Sequence, residues 1–138
     1  IEVDAGLPSL EIGKANLVRE GSSDIIFLNF GSLLHEAIEV SESLDLTLID
    51  MRFVKPIDKD ILRKFLPKAK IFISLEDASI AGGAGSSIQE FCAEENIAIK
   101  SKLLGIPDKF IDHASREEMI EEVGLTAKKI EETLKQLI

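Results

Sequence analysis

The stretch Ile71-Phe72-Ile73-Ser74-Leu75-Glu76-Asp77, with Ala81-Gly82-Gly83-Ala84-Gly85-Ser86-Ser87 a few residues on, decides the fold. Its first five residues are nearly continuously apolar, which suits a strand covered on both faces, as in a parallel sheet. The glycines stand where a helix begins, because Ala84, Ile88, Phe91 and Cys92 recur at helical spacing and form a single apolar stripe. Working outward, Ile25–Leu28 and Leu46–Ile49 repeat the buried-strand pattern, and Ile97–Leu104 alternates in the manner of an edge strand with one wet face. Ala15–Arg19 is a weaker strand, expected to join the next through Gly21-Ser22-Ser23 as an antiparallel hairpin.

Helical stripes fill the intervals. Leu34, Ala37, Ile38, Ser41 and Leu44 make one; Ile61, Leu62, Phe65 and Leu66 make a second, with Asp58 placed to cap it. Ser115 and Glu118 read as a capping box, Gly124 ends that helix, and Thr126 opens a last one along Ala127, Ile130, Leu134 and Leu137. Strand–helix–strand units at this spacing predict an α/β three-layer sandwich. Its sheet is expected to be mostly parallel and five-stranded, with one antiparallel edge strand. Residues 1–10 are read as a linker or docking arm, and residues 11–138 as one domain.

Composition narrows the function. The 138 residues carry a net charge of −9, which argues against nucleic acid or an anionic membrane as the main partner. The single cysteine, Cys92, forms no intrachain disulfide and fits a reducing cytoplasm. No signal peptide or membrane-length apolar run is visible, and a chain opening on Ile1 is expected to be part of something longer.

In such a sheet, ligands and partners meet the loops after the carboxyl ends of the strands. The Gly-rich helix start, with Gly82, Gly83, Gly85 and Ser86, has two readings: a phosphate or carboxylate cradle, or close packing and domain docking, of which the second is favoured. It lacks the third glycine of a dinucleotide fingerprint and a Walker lysine. Arg52 and Lys55 are the clustered cations at that edge, and Glu76 and Asp77 the obvious carboxylates. An Arg52–carboxylate pair bridging two loops is expected to fix their geometry. His35 and His113 give no metal spacing and are read as solvated, capping or loop-bonding residues, Cys92 as a core thiol. No hydrolase elbow is present. These residues assemble no complete active site.

Three segments together carry a family resemblance. They are Leu48-Ile49-Asp50-Met51-Arg52-Phe53-Val54-Lys55-Pro56-Ile57-Asp58, then Leu75-Glu76-Asp77-Ala78-Ser79-Ile80-Ala81-Gly82-Gly83-Ala84-Gly85-Ser86, and Leu104-Gly105-Ile106-Pro107-Asp108-Lys109-Phe110-Ile111-Asp112-His113 with Val123-Gly124-Leu125-Thr126. In order and spacing they resemble the C-terminal, transketolase-like domain of 1-deoxy-D-xylulose-5-phosphate synthases. Gly13 and Leu28-Asn29-Phe30-Gly31 extend the likeness. Asp77 departs from the usual second glutamate, and Ala114 from a common glycine.

The resemblance implies a parent enzyme that joins pyruvate to D-glyceraldehyde 3-phosphate with loss of carbon dioxide, using thiamine diphosphate and Mg²⁺. That product feeds isoprenoid, thiamine and pyridoxal phosphate synthesis. The resemblance further implies a cytoplasmic homodimer whose other two domains hold the cofactor and the catalytic residues. This domain would then have no catalytic, cofactor-binding or metal-binding residue of its own and would dock on those two. Arg52, Lys55, Glu76, Gly82, Gly83, Gly85 and Ser86 are its candidate interdomain or anion contacts. The competing expectations are the C-terminal domain of a transketolase or of a 2-oxoacid dehydrogenase beta subunit, or a free-standing anion-binding module.

Overall fold

A computed structural model describes residues 9–109, 111–112 and 114–137. His113 and the arm up to residue 8 therefore lie outside the described residues. The strands are β1 (Asn16–Arg19), β2 (Ile25–Phe30), β3 (Thr47–Asp50), β4 (Ile71–Ser79) and β5 (Lys100–Ile106). The helices are α1 (Leu34–Ser43), α2 (Lys59–Phe65, followed by a 3₁₀ turn at Leu66–Lys68), α3 (Ala84–Glu94), α4 (Arg116–Glu122) and α5 (Ala127–Lys135).

The strands lie in the order β1-β3-β2-β4-β5. All neighbours are parallel except β1, which runs antiparallel to β3. The expected three-layer sandwich is therefore the one observed. All six residues of β2 are buried, as befits a central strand with both edges and both faces covered. Successive side chains divide between the two faces. Ile26, Leu28 and Phe30 pack with Leu62, Phe65, Ile88 and Phe91 of α2 and α3. Ile25 and Phe27 pack with Ala37, Val40, Ile130 and Leu134 of α1 and α5.

The expected hairpin between the first two strands does not form, because β3 and β4 occupy both edges of β2. The half-exposed β1 takes the outer edge of β3 instead. Gly21-Ser22-Ser23 is a crossing over the turn that leads into β3. A Cβ at Gly21 would stand 2.1 Å from the Asp45 carbonyl oxygen, so only glycine passes there. Arg19 secures the crossing by donating to the carbonyls of Ser41 (2.5 Å) and Leu46 (2.7 Å) and to the Asp45 carboxylate (2.8 Å).

The edge character of β5 holds, although the hydrogen-bonded strand begins at Lys100 and runs to Ile106. Ile97, Ile99 and Leu103 pack toward α2 and α3, while Lys100 and Lys102 are exposed. Asp58 caps α2 by accepting from Ile61 N, and also accepts from Ala15 N, which pins the approach to β1. Ser115 and Glu118 form the reciprocal capping box of α4, and Gly124 follows it at φ +76°. Thr126 occupies the N-cap of α5, but its hydroxyl makes no capping bond. Leu137 lies past the end of α5 and is exposed.

A candidate docking edge at the carboxyl ends of the strands

The order of strands reverses at β2: the chain leaves it for β3 on one side and returns to β4 on the other. Helix α1 then packs on one face of the sheet and α3 on the opposite face, so the loops after β2 and β4 diverge and leave a crevice. A groove of about 480 Å³ opens there. One wall carries Arg52, Val54 and Lys55, and the other Gly82, Gly83 and Ser86.

The Gly-rich helix start is filled by the chain's own carboxylate. Glu76, 2% exposed at the carboxyl end of β4, accepts from Ala84 N at 2.7 Å and Gly85 N at 3.3 Å. Gly83 N donates to Ile80 O, and Ser86 N to Gly83 O. Each N–H from Gly83 to Ser86 thus has a partner within the chain, and none is left for a phosphate. The glycines make the space: a Cβ at Gly83 would lie 2.4 Å from the Glu76 carboxylate and 2.2 Å from the Ser79 carbonyl oxygen. At Gly85 it would meet the Ser74 hydroxyl at 2.3 Å. Gly82 differs, since its Cβ position is open and its φ of +70° is what calls for glycine.

Asp77 points the other way, as alternation along a strand requires. It accepts from Ser32 N at 2.9 Å, and its carboxylate fills the space where Gly31, at φ +89°, would carry a Cβ. Arg116 at the start of α4 donates to Ser32 Oγ at 2.7 Å, tying α4 to the same turn. Partial burial raises the Asp77 pKa, but bonds from the Ser32 hydroxyl and backbone N–H outweigh it and hold the carboxyl below its ordinary value. The shorter acid thus reaches across the crevice from β4 to the β2–α1 turn.

The expected bridge from Arg52 to the β4 carboxylates is not made. Glu76 is turned inward to α3 and Asp77 to Ser32, so Arg52 pairs with Asp50 through Nε at 3.5 Å. Lys55 has no ion-pair partner among the described residues, and the Ser86 hydroxyl makes no hydrogen bond there. Asn29, fully buried, donates to Asp50 Oδ1 and Gly31 O, both at 3.3 Å, and its Oδ1 is unpaired. The sequence reading missed Asn29, Ser32, Ser74 and Arg116. Ser74 and Asn29 carried a signal, each being a polar residue in or just after an apolar strand run; Ser32 and Arg116 carried none, since their pairing spans 84 residues.

His35 is exposed on the first turn of α1. Cys92 is buried in the core, and burial pushes its thiol pKa up. Among the described residues no group of three His, Cys, Asp or Glu side chains could hold a metal, and no helix is long and apolar enough to cross a membrane. The edge instead presents open backbone, a half-exposed guanidinium and an ammonium group.

The family model of the transketolase C-terminal domain matches residues 13–130, and the chain belongs to that family. Within it, the resemblance is to the C-terminal domain of 1-deoxy-D-xylulose-5-phosphate synthase. The chain is 44% identical over 135 residues to such a synthase of Hahella chejuensis, covering 98% of this chain and 21% of the relative. It is 42% identical over 136 residues to that of Vibrio vulnificus, covering 99% and 22%. The chain therefore spans about a fifth of the length of these curated relatives. A solved chain described as a split gene transketolase, inactive beta4 tetramer, superposes with a TM-score of 0.85 at 25% identity. That match covers 99% of this chain and 46% of the other.

Proposed function

We propose that this chain is the C-terminal domain of a thiamine-diphosphate-dependent 1-deoxy-D-xylulose-5-phosphate synthase, and that it acts there as a rigid docking block without catalytic residues of its own. The parent condenses pyruvate with D-glyceraldehyde 3-phosphate and releases carbon dioxide; bound thiamine diphosphate supplies the carbanion chemistry. The observation that carries the reading is 44% identity along nearly the whole chain to one fifth of a protein named for that reaction.

The donor set of this domain does not fit the cofactor. The one helix start that suits a diphosphate by sequence has its N–H groups engaged by Glu76. That engagement is what supports placing the diphosphate cofactor on the other two domains of the parent. The same occupancy weighs against a free-standing anion-binding module.

The test is complementation in two parts. This chain and the polypeptide formed by the preceding domains are each assayed for pyruvate and glyceraldehyde 3-phosphate turnover with Mg²⁺ and thiamine diphosphate, first separately and then mixed. The expected result is no turnover by this chain alone and restored or stabilised turnover on mixing. Metal-dependent turnover by the purified chain alone would overturn the reading.

A further inference from the structure

Among the described residues, Arg52 is one of three non-glycine residues that the backbone holds in the left-handed region, at φ +58°. The other two have local explanations. Asp45 is a residue type that tolerates this region, and it is tied down by Arg19 and Ser22. Asn96 is likewise tolerant and closes the turn after α3. Arg52 is not of that kind, and its conformation is strained, a cost that surrounding contacts must offset. Its ion contact among the described residues is a 3.5 Å approach of Nε to Asp50, which leaves the two terminal nitrogens of the guanidinium without an acceptor. Arg52 lines the groove beside Lys55 and the half-exposed Val54, and its guanidinium is a planar two-pronged donor. The chain's entry runs past the same corner: Gly13 seats against Pro56, and Ile12 before it is 75% exposed.

We infer that Arg52 and Lys55 receive a carboxylate side chain from the polypeptide that adjoins this domain, laid in extended form along the groove with Val54 as its apolar contact. This deepens the docking reading and rests on it. Three features select that occupant. An arginine fork matches a carboxylate with two parallel bonds. The two cations are complementary to an acid on a chain that is otherwise strongly acidic. About four fifths of each relative lies outside the region matched here, so a parent of that length carries ample polypeptide to lie against this domain. Gly82 on the facing wall has open space at its Cβ position, so backbone there is reachable.

The test uses the full-length polypeptide carrying this domain, with a photoactivatable benzophenone side chain at position 54. Irradiation and peptide mass spectrometry are expected to give an adduct to a segment outside residues 9–137 that contains Asp or Glu near the cross-link. Arg52→Gln should lower its yield severalfold, and Arg52→Lys should restore part of it. An adduct elsewhere in the polypeptide whose yield ignores Arg52→Gln, or whose segment lacks an acid, overturns the carboxylate contact and leaves the docking reading standing. An adduct only to a second copy of this domain overturns the inference, as does one abolished by inorganic phosphate, which assigns the groove to a phosphorylated ligand. No adduct to any other part of the polypeptide overturns both.

Discussion

The Glu76 carboxylate accepts a 2.7 Å hydrogen bond from Ala84 N, joining the carboxyl-terminal half of β4 to the first turn of the helix that follows it. The bond is charge-assisted and buried, and it aligns a negative group with the positive end of α3. It converts a Gly-rich loop, which in isolation would suit a foreign anion, into an internal corner beneath the groove.

Replacing that acid should destabilise the domain without moving the edge. Glu76→Gln keeps the shape but offers one acceptor where two N–H groups need them, and a buried donor left unmade costs about 1–3 kcal/mol. Glu76→Ala should cost more, because it leaves both donors unpaired beside a void. Urea denaturation checks this, with a lowered midpoint at constant slope as the expected outcome.

Two neighbouring glycines should behave differently. Gly83→Val places a Cβ within 2.4 Å of both the Ser79 carbonyl oxygen and the Glu76 carboxylate, and so overpacks the corner. The loss should reach or exceed about 1–3 kcal/mol, visible as a lower melting temperature or failure to fold. Gly82→Asn meets no atom within 4 Å, and asparagine tolerates a positive φ, so it should melt within a few degrees of the parent. Equal melting temperatures for Gly83→Val and the parent would remove the close-approach argument.

Acid should loosen the crossing between β1 and β2. Bonds from the Ser22 hydroxyl, from Arg19 and from the Ser22 backbone lower the Asp45 pKa from 3.8 to about 2. The folded value lies below the unfolded one, so this contribution is complete above about pH 4 and is lost as pH falls through about 2. Melting temperature should therefore drop across that window. Asp45→Asn, which keeps the tolerance for φ +51°, should flatten part of the drop; an unchanged slope would refute the assignment.

Helix α4 should respond to its cap more than to the core. It has no buried residue, so the Ser115–Glu118 box and the Arg116–Ser32 bond contribute much of what holds it. Ser115→Ala should cost about 1 kcal/mol. Amide exchange should rise roughly fivefold across residues 116–122 and stay unchanged in β2 and β4. Uniform loss of protection through the sheet would show that α4 is integral to the core.

Local pattern alone determined much of this protein. Continuous apolar runs at Ile25–Leu28 and Ile71–Leu75 announced parallel strands, because a strand buried on both faces has no polar alternation to show. Asp58 and the Ser115–Glu118 box were legible because a cap and its N–H lie within three residues. The family motifs, read in order, sufficed to place the chain among the synthases' C-terminal domains. Only the tertiary structure decided where β1 lies, since its pairing with β3 depends on which edges of β2 remain vacant. It alone assigned Glu76 to α3, Asp77 to Ser32 and Arg52 to Asp50. Each choice follows from strand parity and the opposite departure of two helices, which turn adjacent side chains to opposite faces. Sequence says which charges reach the edge; chain geometry decides which are satisfied within the domain and which stay unpaired among the described residues.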